Sequence, residues 1–127
     1  MKDISISITE SEWQVLKVLW EKSPLTLPQV VEKLEHTGWN VNTIQTFLSR
    51  LVKKSALSTT KQGKGFLYSP IVQESDCQLA QTKRFIDRVY DGSVSSMVMG
   101  VLSSGNLSTE EFERLKKLVE DYERSRK

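Results

Sequence analysis

Apolar residues recur at helical spacing through most of this chain and switch to short runs only once. Trp13, Leu16, Leu19 and Trp20 lie three or four apart, the period of one buried helix face. Thr9 and Glu12 precede them as a capping box. Val30, Val31 and Leu34 form a shorter stripe, with Thr26 as cap, Pro28 in the first turn and Gly38 as the stop. Ile44, Phe47, Leu48, Leu51 and Val52 then follow the i, i+3, i+4, i+7, i+8 pattern. Asn42 and Gln45 are the expected capping pair of this third helix, over residues 42–54.

After that helix the period changes. Leu57 to Thr60 and Phe66 to Tyr68 read as two short strands around "KQGKG", turn chemistry with two glycines. Three helices followed by a hairpin, with a short strand near Leu25, predict a winged helix-turn-helix over residues 1–70, bounded by Pro70. Residues 71–127 return to helical spacing. One helix runs from about Ser75 to Tyr90 and stops at Asp91-Gly92. A second carries Val94, Met97, Val98, Val101 and Leu102, and a third opens at a Ser108–Glu111 capping box. The fold class is therefore mainly α. These stripes are too narrow to bury much surface alone. Leu79, Ile86, Val98, Val101, Phe112, Leu115, Leu118, Val119 and Tyr122 are accordingly expected to meet a second copy in a symmetric dimer.

Net charge is +2 over 127 residues, which decides little; its distribution decides more. From His36 to Gln73 there is no Asp or Glu, although the chain holds 16. The same window carries Arg50, Lys53, Lys54, Lys61 and Lys64, and an anionic polymer selects such a surface. The outward face of helix 42–54 sharpens the point. It presents Asn42, Thr43, Gln45, Thr46, Ser49, Arg50, Lys53 and Lys54, and Thr or Ser there costs roughly half a kcal/mol against Ala. Short hydroxyls suit close approach to a DNA major groove, where Gln pairs with adenine and Arg with guanine. Lys53, Lys54, Lys61 and Lys64 suit phosphates, which position a protein without reading sequence. The competing function is a winged helix used only for protein interaction, which would expose an apolar or mixed-charge wing and helix face.

Catalysis finds no support. His36 is the one histidine and Cys77 the one cysteine, so no nucleophilic or metal-ligating constellation can be assembled from them, and no cofactor is implied. A single cysteine forms no internal disulfide, in keeping with a reducing, cytoplasmic setting. No apolar run reaches the roughly 18 residues of a membrane span, and "MKDISISITE" lacks a signal peptide's apolar core.

The segments "ITESEWQVLKVLW", "WNVNTIQTFLSRLVKKSAL", "KQGKGFLYSP" and "FIDRVYDGSVSSMV" occur in order and resemble those of the penicillinase and methicillin-resistance repressor family (BlaI/MecI type). The resemblance runs from about Ile6 to Tyr122. It implies a homodimeric winged-helix repressor that reads dyad-symmetric operator DNA through its third helix and wing, with Thr43, Gln45, Thr46 and Arg50 on reading positions. Asn42 stands where relatives often have Lys, and Gln45 where many have Lys or Arg, so the preferred operator need not transfer. Copper-responsive relatives (CopY type) carry a C-terminal cysteine cluster, which "DYERSRK" lacks; metal sensing of that kind is not expected. The resemblance also implies a relay from a membrane sensor to proteolysis at an Asn-Phe bond. This chain has Gly100-Val101 at the matching position, and a protease selective for the usual pair is expected to lose both handles.

Overall fold

A computed structural model describes residues 7–126. Residues 1–6, which make up most of "MKDISISITE", and residue 127, the last of "DYERSRK", lie outside the described residues. Two compact units divide at residues 81 and 82.

The first unit begins with α1 (Glu10–Glu21), whose capping box is complete: Thr9 Oγ1 accepts from the Glu12 amide and Glu12 Oε1 from the Thr9 amide. β1 (Leu25–Thr26) leads into α2 (Leu27–Lys33), capped by Thr26 and Gln29 in the same reciprocal way. A 3-10 turn over Glu35–Thr37 ends at Gly38, whose φ of 75° is the left-handed conformation that favours glycine. α3 (Val41–Lys53) follows. β2 (Leu57–Gln62) and β3 (Gly65–Pro70) form the wing, joined through Gly63 and Lys64, and β3 also pairs with β1 to give the antiparallel order β1-β3-β2.

The core fills the angle between these helices and the sheet. Val15, Leu16 and Leu19 of α1 meet Val30 and Leu34 from the α2 region, Ile44, Leu48 and Leu51 of α3, and Leu57 and Tyr68 of the sheet. Each large aliphatic side chain removed from water in this way contributes roughly 1.5–3 kcal/mol. The core does not stop at Pro70. Val72 and Cys77 are buried with it, Trp20 Nε1 donates to the Val72 carbonyl at 2.9 Å, and Gln81 Nε2 reaches the Ile8 carbonyl at 3.4 Å. The opening turns of α4 (Glu74–Val89) therefore belong to the first unit. Pro70 ends the strand, not the unit expected over 1–70.

The second unit comprises the rest of α4 with α5 (Val94–Ser103) and α6 (Thr109–Ser125). The Asp91-Gly92 stop stands: both residues have positive φ, and the Gly92 amide reaches back to the Ile86 carbonyl. Ser108 caps α6 by accepting from the Glu111 amide. Val101, Leu102, Phe112, Leu115, Leu118, Val119 and Tyr122 are all exposed in the single chain. Ile86, expected with them, is buried at 7% exposure and offers no free surface.

Candidate nucleic-acid interface

α3 is fixed at both ends by local chemistry. Its N-cap is Asn40, whose Oδ1 accepts from the Thr43 amide at 2.8 Å. The expected cap, Asn42, is instead the second residue of the helix: Asn40 and Asn42 stand two apart, each with a suitable partner three residues on, and only backbone geometry chooses between them. At the other end the Ala56 amide donates to the Leu51 carbonyl and the Ser55 amide to Val52, a Schellman stop with Ser55 left-handed at φ 64°. Between these caps Ile44, Leu48 and Leu51 point into the core. Trp39 stacks edge-on against Phe47 with ring centroids 5.0 Å apart and braces the approach to the helix.

Rotation of the apolar stripe inward leaves Asn42, Gln45, Thr46, Ser49, Arg50 and Lys53 along one continuous open surface. No carboxylate is among them. Thr43 flanks this surface and is half-buried. Thr46 Oγ1 donates to the Asn42 carbonyl at 2.9 Å, which uses its proton inside the helix. What Thr46 turns outward is a methyl group and lone pairs. Among the described residues, Gln45, Arg50 and Lys53 have no side-chain bond to the rest of the chain.

The wing adds a second surface. Lys64 sits in its two-residue turn, and Lys61 pairs with Phe66 across the ladder, all three exposed. Phe66 and Thr59 had not been singled out from sequence. They line a notch with Ser49, Val52 and Tyr68 between α3 and the hairpin. Phe66 stands 47% exposed there. Strand alternation contains the signal that finds it, since Phe66 shares the face of buried Tyr68 but lies past the end of the core.

Lys54 departs from expectation. Its Nζ lies 2.5 Å from Glu12 Oε1 and 2.8 Å from the Ser7 carbonyl, so this cation is committed to the protein. Glu12 is 1% exposed. Burial acts most strongly on its carboxyl and would raise the pKa. The Lys54 hydrogen bond, the Thr9 amide, the Lys54 charge and the Thr9 side chain together outweigh burial and hold it below the ordinary carboxylate value.

A three-helix core, an exposed cationic third helix and a two-stranded wing define a winged helix-turn-helix protein. The particular family follows from comparison: the chain belongs to the penicillinase repressor family, whose model matches residues 8–121. It is 37% identical over 121 residues to the penicillinase repressor of Bacillus licheniformis, covering 94% of each chain. It is 31% identical to the methicillin resistance regulatory protein MecI of Staphylococcus aureus (strain N315), covering 94% of this chain and 98% of that one. Two solution structures are similar at 43% identity, each covering 60% of this chain and 93% of the other. The DNA binding domain of the repressor BlaI gives a TM-score of 0.52, and the Bacillus licheniformis BlaI monomeric form in complex with the blaP half-operator gives 0.51. This is a family of repressors, not of enzymes. Among the described residues no helix is long and apolar enough to cross a membrane.

Proposed function

We infer that this chain is a cytoplasmic transcriptional repressor that binds duplex operator DNA as a homodimer and controls β-lactamase or related resistance genes. One observation carries the reading: α3 turns an unbroken acid-free face of amide, hydroxyl and cationic groups to solvent beside a lysine-tipped wing. A BlaI form 43% identical over 60% of this chain has been solved in complex with a half-operator, which supports the same use of this one. In this reading α3 enters the major groove, Gln45 and Arg50 meet base edges, and Lys53, Lys61 and Lys64 meet phosphates. The exposed apolar residues of α5 and α6 supply the dimer contact, giving two half-sites related by a dyad. Release would come through a sensor-linked protease or another signal. Because Gly100 and Val101 replace the usual Asn and Phe, a protease selective for that pair leaves this chain intact.

The test is binding to duplex DNA across a salt series, followed by a footprint on the protein's own upstream region. A protected dyad, with affinity falling steeply as salt rises, is the expected result. Absence of binding to any duplex at low salt would instead favour a protein-interaction module.

A further inference from the structure

One ion pair in the first unit connects places far apart in sequence and close to the DNA-facing helix. Glu12 is the third residue of α1, and Lys54 is the C-cap of α3. Glu12 Oε1 accepts from Lys54 Nζ at 2.5 Å and from the Thr9 amide at 3.0 Å. Lys54 donates a second bond to the Ser7 carbonyl at 2.8 Å. Each charge lies at the helix end that favours it, the carboxylate at an N-terminus and the ammonium at a C-terminus.

The apolar contacts beneath α3 resist separation of the helices but are non-directional. They limit sliding and rotation of α3 far less than a bond of fixed length and angle does. The bond is made by the residue following Lys53, directly after the turn that carries Arg50 and Lys53. A base-reading side chain works only when held to within about 0.5 Å of its productive place. We propose that Glu12 and Lys54 are a positioning pair that sets the orientation of α3 toward DNA, and that Lys54 makes no phosphate contact.

The proposal rests on the DNA-binding reading above, and the experiment separates the two. The full chain first selects duplexes from a random library; failure of the wild type to enrich any sequence removes the DNA-binding reading before a variant is made. Binding of a selected duplex and of a random one of equal length is then measured across a salt series. The proteins are wild type, Glu12→Gln, Lys54→Met and Lys54→Arg. Gln at position 12 keeps the capping box, so that variant loses the charge without losing the helix start.

Glu12→Gln and Lys54→Met are each expected to lower the selected-to-random ratio about tenfold, the loss of roughly one well-placed base contact. The salt slope should match that of wild type. Lys54→Arg, which can still reach the carboxylate, should restore the ratio to within about twofold, a difference of roughly 0.4 kcal/mol. Lys54→Met weakening both duplexes alike, with a slope flattened by about 0.9 per phosphate lost, would make Lys54 a phosphate ligand and overturn the proposal. An unchanged ratio in Glu12→Gln would overturn it equally.

Discussion

Single side chains on α3 divide by what they have left to offer. Arg50 is exposed and has its guanidinium free of internal bonds among the described residues, whereas Thr46 has already spent its proton. Arg50→Ala is expected to cost about 1–3 kcal/mol on a selected operator and to change base preference. Lys64→Ala should weaken all duplexes about equally and flatten the salt slope. Competition of a selected duplex against random DNA distinguishes the two; equal losses in Arg50→Ala would remove its reading role. Ser55 offers a cleaner test of backbone chemistry, since it holds a left-handed conformation at the α3 stop. Left-handed φ costs a residue with Cβ about 1–2 kcal/mol, part of which is offset by glycine's greater freedom in the unfolded chain. Ser55→Gly should therefore raise stability by roughly 0.5–1 kcal/mol, read as a higher urea midpoint with unchanged slope. At Gly100 an added Cβ would stand 3.4 Å from the Tyr90 hydroxyl, an ordinary contact with the end of a side chain, so the position accepts a larger residue. The double change Gly100→Asn and Val101→Phe should make the chain a substrate for a sensor protease that ignores the wild type, visible as a fragment ending at residue 100.

At the scale of elements, the join between α1 and α3 gives the first unit a defined response to acid. The folded pKa of Glu12 lies below its unfolded value. Its contribution is therefore present above the ordinary carboxylate range and lost as pH falls through the depressed folded value. The stability difference between wild type and Glu12→Gln should be about 1–3 kcal/mol at neutral pH, below the roughly 3–5 of a fully enclosed pair because Lys54 keeps some solvent. It should vanish in acid. Urea unfolding of both proteins from pH 7 to pH 3 checks this; a constant difference would mean that the charge is not the cause. The same join explains where sequence reading succeeded and where it failed. Helix stripes, the Thr9–Glu12 capping box, the Thr26 cap, the hairpin and the Asp91-Gly92 stop depend on neighbours within a few residues, and all were legible; the Gln29 half of the second box was not read. Lys54 was not. Its neighbours in sequence are Lys53 and Arg50, and nothing local reveals that Glu12 is folded against it. The cap of α3 was misplaced at Asn42 instead of Asn40 for the opposite reason, two local signals of equal strength. Pro70 punctuates the strand, but burial of Val72 and Cys77, a tertiary fact, moves the unit boundary into α4.

For the whole molecule, the acid-free cationic face of α3 and the exposed apolar residues of α5 and α6 lie in different units, and each leads to its own measurement. With Lys54 internal, the reading helix and wing carry four available cations per subunit: Arg50, Lys53, Lys61 and Lys64. The salt slope of a bound dimer should then reach about −7 rather than the roughly −9 that five would allow. In the second unit Leu118 is 59% and Tyr122 63% exposed, more apolar surface than a lone helix leaves to water without a reason. Replacing Leu115 and Leu118 with Asp should dissociate the proposed dimer, because the contact would then enclose unpaired charges. Sedimentation gives the mass, and operator binding should fall with it as two linked half-site contacts become one. A monomeric wild-type chain with full operator affinity would refute the dimer.

The contrast between Lys54 and the surface of α3 also bears on how such a protein diversifies. Among the described residues, Gln45, Ser49, Arg50 and Lys53 have no side-chain bond to the rest of the chain. If they read bases as proposed, each can change singly and alter the sequences recognised while leaving the fold intact. Glu12 and Lys54 have less freedom: only an exchange that keeps the charge, such as Lys54→Arg, spares the pair, and loss of Lys54 leaves the buried Glu12 carboxylate without its cation. Descendants of this chain can therefore wander through many operators by single steps. A pair of another chemistry at 12 and 54 demands two changes at once, so beyond a Lys–Arg exchange those positions should drift together.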